Sequence, residues 1–574
     1  MTTIIDLDRA EADAVPDHLR SGSLVVSGLT VAFVRDGEPH VVVHDLSFEL
    51  PRGACVAIVG ESGSGKSVTA RTLVGLTGAN SLVSSDTLLL DGEDISDLTP
   101  RDWRSIRGRR IGFILQDALV SLDPLRPVGK EIEEALRLHG WGNRAARKRR
   151  AIELLESVGV PLPEQRARQR PDELSGGLRQ RALIASALAL DPELIIADEP
   201  TTALDVTVQA QVLAQLEETK RRGVSIVLIS HDLSVVAQLA DTILVMKGGQ
   251  VVEQGDARQI LERPRHEYTR SLIAAVPGEE TRGRRLGPDF EIVATPHPEQ
   301  VAEELRAYEG PVLEVTGLTK RFRTPGGGSQ IAVDGVTFSL DRGETLGIVG
   351  ESGSGKSTTG RIVLALTTPD AGEVRLLGQD WSSISEQRRR RLRSRISVVY
   401  QDPLSSFDPR WNVERILLDA VPDDAYPTTE RKRARVRELL DQVGLPQDVL
   451  LRFPLRLSGG QRQRVAIARA LAPSPSIIVL DEAVSALDVS IQAQILDLLT
   501  ELQKQLGVSY LFISHDLGVI SHLSDRVLVM KDGGVVEHGT VEEIFHNPQN
   551  AYTQQLIASL PSFPIDPLRP AIRR

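Results

Sequence analysis

Residues Gly60–Ser67 read GESGSGKS, and the same eight residues recur at Gly350–Ser357. Both copies fit the pattern G-x-x-x-x-G-K-[ST], whose glycines let the backbone turn tightly so that its N–H groups point at phosphate oxygens. Each copy follows a short apolar run, at 56–59 and 346–349, and precedes a stretch with helical character. This strand, loop and helix are the context that the pattern requires. The sequence therefore predicts two phosphate-binding loops.

The last two residues of each copy carry the charge and the hydroxyl of such a loop. Lys66 and Lys356 can reach the β and γ phosphates of a nucleotide, and Ser67 and Ser357 can bind Mg²⁺. The alternative is a glycine- and serine-rich turn that fits the pattern by accident. Two identical copies in matching contexts exclude that alternative.

Composition is that of a soluble globular protein of several structural units, with 574 residues, 41% hydrophobic and 25% charged. The net charge of −11 argues against a nucleic-acid-binding surface as the main function. The single cysteine, Cys55, excludes a disulfide framework and any four-cysteine zinc or iron–sulfur site within the chain. The sequence begins without the features of a signal peptide and has no run of 18 apolar residues. These features predict a cytoplasmic protein whose membrane role depends on partners.

Other pairs of residues recur about 285 positions apart, among them Asp198 with Asp481 and His231 with His515. A period this long indicates a duplicated domain rather than a solenoid. The predicted boundaries are a disordered N-terminus at 1–22, a first domain at 23–277, a linker at 278–310, a second domain at 311–561 and a tail at 562–574.

Each half has two kinds of strand pattern. Alternating apolar residues at 24–50 and 313–340 predict two strands around a turn. Further along each half, short apolar strands alternate with helical patterns, which favours a parallel sheet in an α/β fold.

Two carboxylates end an apolar strand in each half, Asp198-Glu199 in the first and Asp481-Glu482 in the second. Because a strand directs consecutive side chains to opposite faces, the aspartate can help to hold hydrated Mg²⁺ while the glutamate faces an attacking water. An isolated pair of this kind could be an acidic turn. The duplication and the distance from the phosphate loop favour the catalytic interpretation.

Three further features recur in both halves. Ser175-Gly176-Gly177 and Ser458–Gln461 each open a helical run, where a hydroxyl and free N–H groups can bind an anion or simply cap the helix. A glutamine ends a strand in each half, and a histidine follows another strand. A lone histidine there is usually structural, but two copies each followed by Asp-Leu favour a contact with phosphate. These residues are Gln116, Gln401, His231 and His515.

Together these motifs resemble the ATP-binding subunit of an ABC transporter with two nucleotide-binding domains fused in one chain. The resemblance covers roughly 24–277 and 311–561, and it includes Ala203-Leu204-Asp205 and Ala486-Leu487-Asp488 in the position of the D-loop. It implies tandem P-loop NTPase domains of ABC type, each with a parallel-sheet core, an antiparallel β subdomain and a helical subdomain. It also implies ATPase activity, with each ATP between the phosphate loop of one domain and the LSGG signature of the other.

The resemblance assigns roles to residues of this sequence. The expected catalytic residues are Glu199, Glu482, His231 and His515. The expected ligands of Mg²⁺ are Ser67, Gln116, Asp198, Ser357, Gln401 and Asp481. The expected ATP-binding residues, which include the adenine-stacking positions 33 and 322, are Phe33, Gly60, Ser62, Gly63, Gly65, Lys66, Ser67, Val68, Phe322, Gly350, Ser352, Gly353, Gly355, Lys356, Ser357, Thr358, Ser175, Gly176, Gly177, Ser458, Gly459, Gly460 and Gln461.

One position departs from the pattern, because the first signature has Leu178 where the second has Gln461. Both catalytic glutamates and both histidines are present. We therefore expect two active sites of unequal rate.

Two segments, 263–277 and 547–561, resemble the C-terminal extension of the peptide/nickel importer ATPases. The departures from its usual form are Glu267, Asn550 and Ala551, and core packing is the expected role of its tyrosines, Tyr268 and Tyr552. Some relatives carry an iron–sulfur cluster after this extension, but this chain lacks the cysteines. The resemblance therefore implies an ATPase for a peptide importer, with nickel import, glutathione import and drug export as alternatives.

The implied partners are two membrane permeases, docked near Gln116–Pro124 and Gln401–Pro409, and an extracellular solute-binding protein that acts through them. The implied location is the cytoplasmic face of the membrane, with contact through the permeases and no nucleic-acid partner. Soluble tandem ATPases that act on ribosomes or DNA are disfavoured, since residues 278–310 are short and mixed in charge and zinc-binding cysteines are missing.

Overall fold

The computed structural model describes residues 22–115, 121–201, 204–287, 308–323, 328–485 and 487–560. The chain divides into two compact units. Among the described residues, the first unit holds 22–201 and 211–269, and the second holds 204–210 and 270–560.

The first half of the chain contains two sheets and a set of helices. Its strands are β1 (Gly22–Arg35), β2 (Glu38–Pro51), β3 (Cys55–Val59), β4 (Ser81–Ser84), β5 (Thr87–Leu90), β6 (Glu93–Asp94), β7 (Ile111–Ile114), β8 (Leu194–Asp198), β9 (Ser225–Ile229), β10 (Thr242–Lys247) and β11 (Gln250–Asp256). Its helices are α1 (Lys66–Leu73), α2 (Pro100–Ile106), α3 (Val128–Leu138), α4 (Arg144–Ser157), α5 (Pro163–Arg166), α6 (Gly176–Ala187), α7 (Val206–Arg221), α8 (Leu233–Leu239), α9 (Ala257–Glu262) and α10 (Glu267–Ala274).

The antiparallel sheet of the first unit runs in the order β2-β1-β5-β6, with β4 also paired to β1. Its long hairpin turns at Asp36 and Gly37, whose φ angles of 52° and 86° are those of a tight hairpin turn. This is the turn that the alternating pattern at 24–50 predicts, and Asp-Gly adopts positive φ readily.

The second sheet of the first unit runs in the order β11-β10-β3-β9-β8-β7, and all its neighbouring strands are parallel except β10 with β11. Every residue of β3 is buried, as expected for a central parallel strand. Burial also raises the pKa of the Cys55 thiol, so this residue is an inert part of the core. Because parallel strands end at one edge, the loops after β3, β8 and β9 meet there.

The second unit repeats this arrangement. Its strands are β12 (Leu313–Arg323), β13 (Ser329–Leu340), β14 (Thr345–Val349), β15 (Ala371–Leu376), β16 (Gln379–Asp380), β17 (Ile396–Val399), β18 (Ile477–Asp481), β19 (Ser509–Ile513), β20 (Arg526–Lys531) and β21 (Gly534–Thr540). Its helices are α11 (Lys356–Val363), α12 (Glu386–Arg389), α13 (Val413–Ala420), α14 (Thr429–Gln442), α15 (Gly459–Leu471), α16 (Val489–Leu506), α17 (Leu517–Leu523), α18 (Val541–His546) and α19 (Ala551–Ala558).

Its sheets have the strand orders β13-β12-β15-β16 and β17-β18-β19-β14-β20-β21. In each unit a parallel core, an antiparallel sheet and a helical region are therefore present, which confirms the predicted α/β fold class. No helix in the part of the chain that the structure describes is long and apolar enough to cross a membrane.

A short segment of the predicted linker, residues 278–287, is bound to the second unit, and we call it the clasp segment. The backbone N–H groups of Leu286 and Gly287 donate to the carboxylate of Asp497 on α16, at distances of 2.7–3.2 Å. The Thr281 hydroxyl lies 2.9 Å from Nδ1 of His522 on α17. Asp497 and His522 are 4% and 6% exposed, so the clasp segment covers two buried polar side chains.

Candidate functional site

The two phosphate loops have nearly the same backbone. Gly60 and Gly350 both have a φ of 149°, and Gly65 and Gly355, which precede α1 and α11, have φ angles of 99° and 100°. A Cβ on Gly60 would lie 2.2 Å from the Met246 carbonyl oxygen at the end of β10. Only glycine fits there, because the loop turns directly against the neighbouring strand.

The loop lysines are buried within their own loops. Lys66 Nζ donates to the carbonyl oxygens of Gly60 and Glu61 at 2.6 and 2.8 Å. Lys356 Nζ makes the same contacts with Gly350 and Glu351 at 2.6 and 2.9 Å. Burial lowers the pKa of Lys356, although nearby carboxylates oppose that shift. Each ammonium group therefore lies inside its loop, within reach of an anion bound there.

A hydroxyl and a carboxylate meet beside each loop. Ser67 Oγ donates to Asp198 Oδ1 at 3.0 Å, and Ser357 Oγ donates to Asp481 Oδ1 at 3.2 Å. Burial raises the pKa of both aspartates, and the serine hydrogen bond opposes that shift. Mg²⁺ prefers oxygen ligands and is commonly bound by one or two carboxylates together with phosphate oxygens. The serine hydroxyl and the aspartate carboxylate beside each phosphate loop fit that ion.

The predicted catalytic glutamates each contact the predicted histidine of the same unit. His231 Nδ1 lies 3.2 Å from Glu199 Oε1, and His515 Nδ1 lies 3.3 Å from Glu482 Oε1. Burial favours a higher pKa for Glu482, but the hydrogen bond and positive charge of His515 outweigh it, so its pKa is lowered. Burial likewise opposes a charge on His515, yet Glu482 raises the pKa of this histidine above its usual value. Each partner therefore favours the charged form of the other.

Both glutamates have positive φ angles, 51° at Glu199 and 49° at Glu482. Such a conformation is uncommon for a residue other than glycine, asparagine or aspartate, and residues held in it tend to cluster at active sites and switch regions. Each glutamate directly follows the last residue of β8 or β18, and its positive φ turns the chain out of the strand direction.

Of the two glutamines predicted at strand ends, Gln401 is the one that the structure describes. Its Nε2 donates to Glu482 Oε2 at 2.8 Å, so the carboxylate is held by an amide on one oxygen and by His515 on the other. Gln116 lies outside the described residues, as do Ala203 and Ala486 of the predicted D-loops.

The two signatures differ in how they cap their helices. Ser175 Oγ accepts the backbone N–H of Leu178 at 3.4 Å, at the start of α6. In the second unit Ser458 Oγ accepts the N–H of Gln461 at 3.2 Å, and Gln461 Oε1 accepts the N–H of Ser458 in return, also at 3.2 Å. This reciprocal capping box is absent from the first signature, because leucine has no acceptor.

The predicted adenine-stacking residues lie in β1 and β12. Phe33 is partly buried and packs against the first hydrophobic core, whereas Phe322 is 46% exposed, with Lys320 Nζ 5.7 Å from its ring centre. Val68, in the first turn of α1, also packs against the first core, and Thr358 takes the matching place in α11.

One pair of functional candidates was not assigned to the site from the sequence. Tyr268 on α10 and Tyr552 on α19 are both 7% exposed, which confirms the expected core packing. Their hydroxyl groups also contact the phosphate loops, at the N–H of Glu61 and of Glu351. The only signal in the sequence was that the same Tyr-Thr pair recurs in both extensions.

The chain matches two protein families, each twice. Residues 43–202 and 333–485 match the ABC transporter family. Residues 252–299 and 536–572 match the C-terminal region of oligopeptide/dipeptide transporters. The second match covers the segments that contain Tyr268 and Tyr552.

Similar proteins of known name extend over almost the whole chain. The glutathione import ATP-binding protein GsiA of Escherichia coli O157:H7 is 43% identical over 567 residues, which is 95% of this chain and 90% of that protein. GsiA of Escherichia coli strain K12 is 42% identical over 567 residues, which again is 95% of this chain and 90% of that protein. Among solved structures, the ATP-binding cassette MJ0796 with ADP and phosphate bound is 30% identical, covers 40% of this chain and 98% of its own, and has a TM-score of 0.37.

The duplicated phosphate loops, the strand-ending carboxylates and the LSGG signatures are thus found in a chain that aligns with named relatives along nearly its full length. The chain belongs to the ABC transporter family and is an ATPase subunit that carries two ATP-binding cassettes in one polypeptide.

Proposed function

We propose that this ATPase powers the import of peptides through two membrane permeases. The observation that carries the proposal is the pair of matches to the C-terminal region of oligopeptide/dipeptide transporters, one after each cassette. The similar proteins above are named as glutathione import ATP-binding proteins, and glutathione is itself a small peptide. Glutathione is therefore the first solute to test within the peptide class, ahead of a nickel chelate or an exported drug.

We propose that ATP binds at two composite sites, each built from a phosphate loop and the signature of the other cassette. Site one combines Gly60–Ser67, Asp198, Glu199 and His231 with Ser458–Gln461. Site two combines Gly350–Ser357, Asp481, Glu482 and His515 with Ser175–Gly177. The geometry within each unit supports the phosphate-loop part of each site, since each unit has a buried lysine, a serine–aspartate pair and a glutamate–histidine pair.

In the proposed mechanism Glu199 and Glu482 position the attacking water and accept hydrogen bonds from it. His231 and His515 hold these carboxylates in place and, in the second unit, keep the carboxylate ionised. Mg²⁺, when bound, neutralises charge on the phosphates, and its ligands would be Ser67, Asp198 and Gln116 in site one and Ser357, Asp481 and Gln401 in site two.

We further propose that site one hydrolyses ATP faster than site two. Site two uses the signature of the first cassette, in which Leu178 replaces the capping glutamine. The N-terminus of α6 is therefore fixed by one side-chain hydrogen bond, while α15 has two. A helix terminus that is less rigidly held is a poorer preorganised site for phosphate.

The proposed link between ATP and transport runs through Gln401. The segment that it opens, Gln401–Pro409, is the proposed permease contact in the second cassette, and Gln116–Pro124 is its counterpart in the first. Since the Gln401 amide is bonded to Glu482, a permease that moves this segment would also move the catalytic carboxylate. The proposed location is the cytoplasmic face of the membrane, with an external binding protein that delivers the solute to the permeases.

Solute uptake tests this function directly. Cells that contain the permeases are supplied with the wild-type chain or with the Lys66→Ala/Lys356→Ala variant, and uptake of labelled glutathione, dipeptides and oligopeptides is measured. We expect the variant to lose uptake of at least one peptide class while remaining in the membrane fraction. Unchanged peptide uptake with the variant protein present would exclude peptide import and favour nickel or drug transport.

A further inference from the structure

The C-terminal extension of each cassette ends in a helix whose tyrosine reaches the phosphate loop of the same unit. The backbone N–H of Glu61 donates to the Tyr268 hydroxyl oxygen at 3.2 Å. In the second unit the N–H of Glu351 donates to the Tyr552 hydroxyl oxygen at 3.1 Å. The contact therefore occurs in both copies of the loop.

The tyrosine and the loop lysine form hydrogen bonds with the two ends of the same peptide group. The N–H of Glu351 and the carbonyl of Gly350 belong to the same planar peptide bond. Tyr552 takes the N–H, and Lys356 Nζ donates to the carbonyl oxygen at 2.6 Å. In the first unit Tyr268 and Lys66 hold the peptide between residues 60 and 61 in the same way, with 2.6 Å for the lysine contact.

This peptide group supplies one of the two carbonyl oxygens that hold the loop lysine. If it rotated, the N–H and the carbonyl would both lose their partners, and the lysine would lose one of its two carbonyl contacts in the loop. Since the lysine and tyrosine side chains are buried, the two hydrogen bonds stabilise one orientation of the peptide group together.

The tyrosine rings are themselves held firmly. Lys247 Nζ lies 4.7 Å from the centre of the Tyr268 ring, and Lys531 Nζ lies 4.7 Å from that of Tyr552. At the start of α19, Asn550 Oδ1 accepts the N–H of Tyr552 at 2.8 Å. Burial raises the pKa of Tyr552 to about 12, so its hydroxyl is neutral at physiological pH. Each ring can therefore fix the position of its hydroxyl.

We propose that Tyr268 and Tyr552 are positioning residues for ATP binding, which hold the first peptide group of each phosphate loop so that the loop lysine is preset for the triphosphate. The extension would thus be part of the nucleotide site and not only a terminal helix that packs against the core. This role concerns ATP binding alone and holds whatever solute the permeases carry.

The test removes the hydroxyl and keeps the ring. Nucleotide affinity of the second loop is measured by fluorescence titration with MANT-ADP and Mg²⁺ in the full chain carrying Lys66→Ala, with and without Tyr552→Phe. Loss of one hydrogen bond at a partly buried loop is expected to weaken binding about two- to tenfold. In steady-state assays KM for ATP should rise by a similar factor while kcat changes less, because Glu482 and His515 are untouched. Tyr268→Phe in a Lys356→Ala chain is the mirror experiment.

Leu556→Ala provides the matched control, because Leu556 is buried on the same helix and has no polar atom. We expect it to lower the melting temperature while leaving MANT-ADP affinity unchanged. An unchanged MANT-ADP affinity when Tyr552→Phe is added to the Lys66→Ala chain would overturn the proposal. Equal loss of affinity in Leu556→Ala would also overturn it, because packing of the helix would then explain the effect without the hydroxyl.

Discussion

Replacing Asp497 by alanine removes the acceptor that holds two backbone N–H groups of the clasp segment. Hydrogen bonds to a charged group contribute about 1.5–3 kcal/mol each, so the two lost bonds correspond to roughly 3–6 kcal/mol before offsets. Removal of a buried carboxylate returns several kcal/mol of desolvation. We therefore expect the free energy of opening the clasp segment to fall by about 2 kcal/mol.

Hydrogen exchange of the full chain, followed by mass spectrometry, measures this opening. A change of about 2 kcal/mol corresponds to roughly thirtyfold faster exchange, which should be confined to peptides covering 278–287. Alanine is compatible with the helix, since Ala214 occupies the matching position of α7.

The control is Glu501→Gln, which removes a partly exposed ion pair with Arg285 at 3.4 Å. Such pairs contribute at most about 1 kcal/mol, so exchange should change little. Unchanged exchange of 278–287 in the Asp497→Ala chain would refute the reasoning, because it would mean that the buried carboxylate does not hold the segment.

Three more outcomes follow from the site and the clasp segment. Glu199→Gln and Glu482→Gln should each reduce ATPase activity, with more activity left in Glu482→Gln because it disables the slower site; equal residual rates would contradict unequal sites. Leu178→Gln should restore the capping box and raise the residual ATPase of a Glu199→Gln chain about threefold, a change that phosphate-release assays resolve. Burial lowers the pKa of His522 below its usual value, a shift that Asp497 opposes and Arg282 assists. The contribution of the neutral histidine to stability should therefore be complete above about pH 6.5 and be lost as the pH drops through the folded pKa. Thermal melts at several pH values should show this slope in the wild type and less of it in His522→Gln, whereas identical slopes would exclude the histidine.

The parts of the site that the sequence predicted are those set by local backbone chemistry. The phosphate loops could be placed because glycine at 60, 63 and 65 has few purposes other than a tight turn between a strand and a helix. The strand before Asp198 was recognisable because a central parallel strand is apolar throughout. The roles of individual site residues remain proposals, now supported by the distances within each unit.

Contacts between distant segments could not be predicted in the same way. Asp497 lies in an otherwise leucine-rich helix, and nothing near it indicates that its partners are the N–H groups of residues 286 and 287. The Tyr552 hydroxyl likewise meets a loop 201 residues earlier in the chain. Periodicity shows that such side chains face inward, but their polar partners are set by tertiary packing.

The difference between the two signatures could be predicted in part from the sequence. The exchange of glutamine for leucine at position 178 is evident from the sequence, and it predicts two sites of unequal rate. The structure identifies the polar contact that leucine lacks as the second half of a capping box at Ser458 and Gln461. That geometry depends on the helix beginning at Gly459, which a sequence pattern fixes only to within a few residues.

The positive φ angles of Glu199 and Glu482 have a consequence for directed evolution. A positive φ strains the backbone at a glutamate, and replacing that residue by glycine or asparagine removes about 1–3 kcal/mol of strain. Libraries selected only for survival of heat should therefore enrich glycine or asparagine at both positions, and the winners should be inert towards ATP. A screen that demands turnover in every round would keep both glutamates and would have to find its extra stability elsewhere in the fold.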